Sequence, residues 1–373
     1  MKRVVWSPAL PRACAAGGTT ASATGGGSRP AGARFTRGFL LFVVCCVVAV
    51  MGWRLTVTYP TDVFDFYPLY YGIKAWIQNG NAYVLGSVTP MLDHKYSLYI
   101  VGNTYPLPAI LLILPFGLLP PTLAATLWVG LLTAGVLLAL RVSGLPLWWG
   151  FALPIVDGIR IEQYTVLIVI AQILALWAHR ERHPWALAAC CALILTKPNQ
   201  GLFFVLVLVL LARNWRQQIA VNALVWGGSL LLDPHWVGEW LPTLDRYRQL
   251  THQPILWGFA LFAIPLLLMR QWLAAATIAQ FLILPFPTAS TYAAGAVPLT
   301  VLDDPRSKWL TLLSYVWVVP ALFFGPAWAT ALTILLPMVL LAALRHYEAR
   351  YGAASLPTPR FTCGLAGRLP GLK

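Results

Sequence analysis

The chain is a series of apolar stretches separated by short polar punctuation, recurring from Gly38 to Leu344. Nothing else in it constrains the fold as strongly. Hydrophobic residues make up 59% of the sequence and charged residues 10%, against roughly 25% charged in an ordinary soluble domain. A soluble core cannot hide that much apolar surface. Several stretches approach the roughly 20 residues that cross a hydrocarbon layer of ~30 Å. Strands of a transmembrane barrel alternate apolar and polar residues, and these stretches do not. The expected fold is an all-α polytopic membrane protein.

A formal net charge of +14 would suit a nucleic-acid binder. The basic residues are scattered through short loops instead of gathered on one face, so nucleic acid is excluded as a partner and the excess reads as membrane orientation. The six cysteines give no disulfide framework. Cys45, Cys46, Cys190 and Cys191 are adjacent pairs inside apolar segments, where they serve as small hydrophobes, and Cys14 and Cys363 sit in the tails. No spacing suggests zinc or a redox pair, and no metal or cofactor is expected. Residues 1–37 are rich in Gly, Ala, Ser, Thr, Arg and Pro and lack any acidic residue. They read as a disordered basic cytoplasmic tail; an organellar transit peptide or a start codon placed too early would give the same composition. Residues 38–350 form the transmembrane domain, and 351–373 a second short cytoplasmic tail.

Arg29, Arg34 and Arg37 precede the first span, about 38–58, which puts its N-terminus in the cytoplasm. The loop from Tyr59 is then external. The stretch "YPLPAILLILPFGLLPP", 105–121, is apolar but short and carries prolines at both ends and inside. Such stretches of ~10–14 apolar residues are more often re-entrant or interfacial than spanning. Read as a helix in the outer leaflet, it closes an external loop over 59–121. The further spans are then about 122–140, 146–156, 163–178, 184–196, 200–212, 218–232, 255–269, 271–286, 290–302, 309–324 and 326–344, giving about 12 transmembrane helices. Both tails and Arg141, Arg180, Arg182, Arg213, Arg216, Arg270, Arg306, Lys308, Arg345 and Arg350 fall inside. Arg54, Lys74, Lys95, Arg160, Lys197, Arg246 and Arg248 fall outside, as do most carboxylates. The reading is a multi-pass plasma-membrane protein with cytoplasmic termini and an external active site.

The outer side gathers the polar residues. The first loop supplies Asp62, Asp65, Tyr70, Tyr71, Tyr83 and Tyr105; later turns supply "DGIRIEQY", "TKPNQG" and the loop from Asp233 to His252. Carboxylates beside cations suit transfer chemistry on an anionic donor. A carboxylate takes the proton of an attacking hydroxyl, and cations hold a phosphate and stabilise its charge as it leaves. The absence of a Walker-type glycine loop argues against a soluble nucleotide donor. The absence of a His-Glu-x-x-His or Cys/His cluster argues against a metalloprotease.

Four segments resemble, in order, the family-87 glycosyltransferases, polytopic enzymes of the GT-C type. "DFYPLYYGIKAWIQNGNAY" is similar to the start of that family's first external loop, through Asp65, Phe66, Tyr70, Tyr71, Gly80 and Tyr83. "TYPLPAILLILPFGLLP" resembles its Tyr-Pro-Pro segment, with Leu107 at the second proline. "EQYTVLIVI" resembles its Gly-Gln-x-Asn segment, with Glu162 for Gly and Thr165 for Asn. "LTKPNQGLFFVLVLVLLARNW" resembles its Lys-Pro segment. The resemblance covers about residues 60–215. It implies a GT-C-like helical bundle that moves a hexose, mannose being the expected sugar, from a polyprenyl-phosphate sugar to a glycolipid or polysaccharide acceptor. Asp65 would deprotonate the acceptor hydroxyl, which attacks the anomeric carbon with inversion as polyprenyl phosphate leaves.

Each candidate has a plainer alternative. Asp65, with Asp62 in reserve, is the catalytic base or else a loop or cap residue. Lys197 binds the donor phosphate or snorkels at a helix end. Arg160, His235, Arg246 and Arg248 assist at the phosphate or are solvated loop charges. Tyr70 and Tyr71 belong to an interfacial aromatic belt and, with Gln163, to the sugar and acceptor site. Two functions of other classes compete. A lipid-linked sugar transporter or flippase calls for midplane polar residues and internal repeats, neither of which is evident. A non-catalytic cell-envelope assembly subunit stays open.

Overall fold

A computed structural model describes residues 31–56, 66–83, 103–251, 260–279, 304, 306–324, 329 and 331–351. These residues form helices and short connections, with no strand among them. Of the tails expected over 1–37 and 351–373, residues 1–30 and 352–373 lie outside the described residues, as does the span at 290–302, whereas 31–37 and 351 are helical and not disordered tail. The chain divides into two units, Met1–Phe42 and Val43–Lys373. In the first, helix α1 (Ala31–Thr56) begins, earlier than Gly38. Its continuation in the second unit carries exposed Val44, Val48 and Leu55.

Helix α2 (Phe66–Asn79) buries one face. Phe66, Leu69, Tyr70 and Ile73, at i, i+3, i+4 and i+7, are all fully buried, the periodicity of a helix laid on a core. It stops at Gly80, whose φ of 70° is the left-handed conformation that suits a glycine after a helix. Gly80 N donates to Trp76 O at 2.8 Å. The proline-laced stretch that follows is broken into α3 (Leu107–Leu112) and α4 (Leu114–Gly117). Pro108 and Pro115 each occupy a first turn, where proline is tolerated, and Pro115 ends the helix begun at Leu107. Six residues rise only about 9 Å, so α3 does not cross a bilayer. Both short helices pack against α2.

Among the described residues, two helices are long and apolar enough to cross a membrane: Gly38–Thr56 of α1, and α5 (Pro121–Val142). Shorter apolar helices follow: α7 (Tyr164–Arg180), α8 (Pro184–Leu195) and α9 (Pro198–Ala212). The stretch expected as a span over 146–156 is instead a 3-10 turn, Leu147–Phe151, and a separate α6 (Leu153–Arg160) with Pro154 in its first turn. The remaining helices are α10 (Trp215–Asn222), a π turn and α11 (Gly228–Leu232), α12 (Trp236–Thr251), α13 (Ala260–Leu268), α14 (Trp272–Ala279), α15 (Ser307–Ser314), α16 (Val318–Phe324), and α17 (Leu336–Tyr351).

Short turns make α7, α8 and α9 antiparallel neighbours. Arg182 and Arg213 close the turns after α7 and α9 in left-handed conformations, φ 61° and 54°. The chain ends therefore sort into two groups. One holds Ser143, Arg180, Arg182 and Arg213, with Arg180 Nη2 donating to Ser143 O at 2.7 Å. Trp148 Nε1 donates to Ser307 Oγ at 3.3 Å on α15. Beside α15, Arg306 donates to Asp304 at 2.6 Å and to Glu348 of α17 at 2.8 Å. The opposite end holds Arg160–Gln163 and Thr196–Lys197.

Gly72 sets how closely α2 approaches the chain before α3. A Cβ there would meet Asn103 Nδ2 at 1.9 Å. That amide is engaged: Nδ2 donates to Pro68 O at 3.1 Å and Oδ1 accepts from Tyr105 N at 3.0 Å. Gly72→Ala is expected to destabilise the protein by about 1–3 kcal/mol, read as a lowered unfolding midpoint in detergent. An unchanged midpoint would mean that Asn103 yields without cost.

Candidate active site

Residues 66–83, 103–117, 157–165 and 196–201, the four segments marked by sequence, meet at the end of the bundle opposite Arg180. Lys197 occupies the break between α8 and α9, preceding Pro198 at the start of α9 with φ −130° and ψ 70°. Its Nζ donates to Thr165 Oγ1 at 3.0 Å and to Tyr105 OH at 3.4 Å. It also lies 5.3 Å from the Tyr105 ring centroid, within cation–π range. Thr165 and Tyr105 are buried, and Tyr164 OH shares a 2.7 Å hydrogen bond with Thr196 Oγ1.

An aromatic stack leads away from this ammonium. Tyr105 meets Tyr164 edge-on at 5.5 Å, Tyr164 stacks on Trp128 at 6.2 Å, and Trp128 stacks on Phe66 at 5.4 Å. Phe66 is the first residue of α2. Side chains from α2, α5, α7 and the α8–α9 turn are thus held in one continuous apolar wall.

A second cation enters from α1. Arg54 forms a buried ion pair through Nε with Glu162 Oε1, and its Nη2 donates to Tyr67 OH at 3.1 Å. Arg54 is 4% exposed and Glu162 fully buried. Glu162 lies between α6 and α7 with φ 57°, the left-handed region that favours glycine, which is the residue in the resembled Gly-Gln-x-Asn pattern. Trp128 Nε1 donates to Glu162 O at 3.1 Å, and Gln163 N to Gly158 O at 2.7 Å, so the turn is held on both sides. Burial pushes the Glu162 carboxyl up to about 7 against the pull of Arg54. Burial, then the Glu162 charge, push the Tyr67 phenol up to about 12. Tyr67 therefore keeps its proton at neutral pH.

The remaining sequence candidates scatter. Asp62 and Asp65 lie outside the described residues; Asp65 directly precedes Phe66 in the chain. Arg160 pairs with Asp157 at 2.8 Å on an exposed face of α6, and no described contact brings it to Lys197. His235 is exposed, and its backbone N donates to Asp233 Oδ1 at 3.0 Å. Arg246 Nε donates to Pro242 O at 3.2 Å, one turn back on α12. The Arg248 side chain lies outside the described residues. Tyr70 is fully buried and donates to Leu119 O at 2.7 Å. Tyr71 stacks on Tyr67 at 5.9 Å. Gln163 is buried at the start of α7, and its Oε1 has no hydrogen-bond partner among the described residues.

Sequence reasoning missed the Arg54–Glu162 pair and the parts played by Tyr105, Thr165 and Trp128. One signal was available: an acidic residue replacing glycine in a buried turn calls for a cation, and Arg54 ends the preceding span. Helix α12 also joins the site, because Trp240 Nε1 donates to Thr104 O at 2.8 Å and Thr243 Oγ1 to Asn103 O at 2.9 Å. Among the described residues, no group of three His, Cys, Asp or Glu side chains is placed to hold a metal ion.

The sequence model of Glycosyltransferase family 87 matches residues 103–254. That stretch contains Tyr105, Trp128, Glu162, Thr165, Lys197 and α12. No curated protein and no solved structure matches the chain. Over residues 103–254 the chain is similar to glycosyltransferase family 87, and the match supports membership of it.

Proposed function

We propose that this glycosyltransferase takes a hexose, with mannose expected, from a polyprenyl-phosphate sugar and passes it to a glycolipid or polysaccharide hydroxyl on the outer face of the plasma membrane. The observation that carries this reading is Lys197. An ammonium fixed between Thr165 Oγ1 and the Tyr105 ring, in a helix break at the end of an apolar bundle, suits an anion whose hydrocarbon tail stays in the bilayer. Backbone groups freed at such a break line a polar site, because lipid cannot satisfy them. In the proposed reaction Asp65 removes the acceptor proton, the oxygen attacks the anomeric carbon, and the bond to the phosphate oxygen breaks. Lys197 offsets the charge that builds on that oxygen. In this reading the Lys197 end is external.

Lys197→Met keeps the apolar stem and deletes the charge. Membranes carrying it, given radiolabelled polyprenyl-phosphate mannose, are expected to show weaker donor binding and a maximal rate lowered by about 10²-fold or more. Lys197→Arg is expected to recover binding better than rate, because its planar fork differs in reach. Normal binding and turnover in Lys197→Met, with loss in Arg246 and Arg248 variants, would move the phosphate to α12. Donor translocation without sugar transfer would favour a flippase.

Orientation has its own test. Arg160 and His183 are both exposed and serve as reporters. Arg160→Cys is expected to react with an impermeant maleimide in intact cells, and His183→Cys to react only after permeabilisation. The reverse pattern inverts the scheme and removes the external site.

A further inference from the structure

We propose that the start of α12 is a subsite for the hydroxyls of the donor sugar, formed by Asp233, Trp236 and Glu239 beside Tyr83; the inference rests on the donor reading above. Asp233 Oδ2, Trp236 Nε1 and Glu239 Oε2 are buried and lack a hydrogen-bond partner among the described residues. Trp236 is 2% exposed and Asp233 8%. Buried polar groups are normally paired, and unpaired ones call for an explanation. Here two acceptors and one donor are left unpaired at, and just before, the start of one helix.

The groups are held in place. Asp233 Oδ1 accepts the backbone N–H of His235 at 3.0 Å. The Trp236 ring packs against Trp226 at 6.1 Å and Trp240 at 5.7 Å. Trp240, packed on Trp236, donates through Nε1 to Thr104 O at 2.8 Å, which ties this helix start to the Tyr105 segment, and the charges of both carboxylates, after burial, push the Tyr83 phenol up. Tyr83 OH donates to Tyr105 O at 3.1 Å. The Tyr105 hydroxyl receives Lys197 Nζ at 3.4 Å. Tyr105 therefore separates the candidate phosphate-binding ammonium from the acidic, indole-bearing helix start, and a sugar joined to that phosphate falls next to the latter.

The chemistry selects the ligand class. A sugar hydroxyl donates one hydrogen bond and accepts others, so neighbouring ring hydroxyls match carboxylate acceptors beside an indole donor. Aromatic rings nearby suit the C–H face of a sugar. A divalent cation would want oxygen ligands throughout, and the indole N–H is not one.

The test compares two probes on purified full-length protein in nanodiscs: polyprenyl-phosphate mannose, and polyprenyl phosphate of the same chain length without sugar. Glu239→Gln, Trp236→Phe and Asp233→Asn are each expected to weaken the sugar-bearing lipid about tenfold or more and to leave the sugar-free lipid unchanged. Lys197→Met is expected to weaken both. The proposal is overturned if none of the three variants discriminates between the lipids, or if they raise only the acceptor KM. Failure of the parent protein to bind either lipid would instead sink the donor reading.

Discussion

Asp65→Asn is expected to lower sugar transfer by about 10²–10⁴-fold, the usual cost of losing a general base, while donor binding and folding persist. The substitution keeps the shape of the side chain and removes its basicity. The residues that follow Asp65 are anchored. Phe66 is fully buried and stacks on Trp128 at 5.4 Å, and Tyr67, one residue on, receives Arg54 Nη2 at 3.1 Å. Initial rates with radiolabelled donor, alongside equilibrium donor binding, check the split. Turnover within a few-fold of the parent would transfer the assignment to Asp62 or end it.

The second large effect concerns Arg54 and Glu162. Removing one partner of a buried ion pair leaves an uncompensated charge and typically costs about 3–5 kcal/mol. Arg54→Met and Glu162→Gln are each expected to fall in that range. Glu162→Gly differs, because it also frees the left-handed turn from a side chain, a relief of about 1–2 kcal/mol. The double variant Arg54→Met/Glu162→Gly is therefore expected to be more stable than either single charge deletion and to lie within about 2 kcal/mol of the parent. Unfolding midpoints of the four proteins form the cycle that isolates the coupling. Additive single effects would mean that the pair contributes nothing as a pair.

The convergence of the four segments was legible in the sequence because each carries local signals: a Tyr-rich helical face ended by Gly80, prolines spaced too closely for one long helix, and Lys-Pro at a helix break. Lys197 was singled out for that reason. What escaped depends on contacts between residues far apart in the chain. Arg54 and Glu162 are 108 positions apart, and periodicity says nothing about such a pair. Trp128 looks like any apolar residue of a span until its indole is seen donating to Glu162 O. Asp233 and Glu239 read as loop charges because exposure is a tertiary property. The expected span over 146–156 failed on Leu147–Phe151 and Pro154, where proline and a 3-10 turn divide the run. Tyr70, a sugar-site candidate by composition, spends its hydroxyl on Leu119 O.

Helix α1 has one further consequence. Only 11% of its apolar window, Gly38–Thr56, is buried, yet near its end Arg54 is inserted into a fully enclosed pair. In the proposed membrane reading, most of what holds this helix at its height is hydrocarbon, not protein. A bilayer thinner or thicker than the apolar length makes a helix tilt or shift, and each residue of shift moves its side chains by 1.5 Å. If α1 spans the membrane as proposed, lipid thickness becomes a tuning dimension of the Lys197 end: the acyl chains would set the depth at which the guanidinium arrives, and with it the footing of Tyr67.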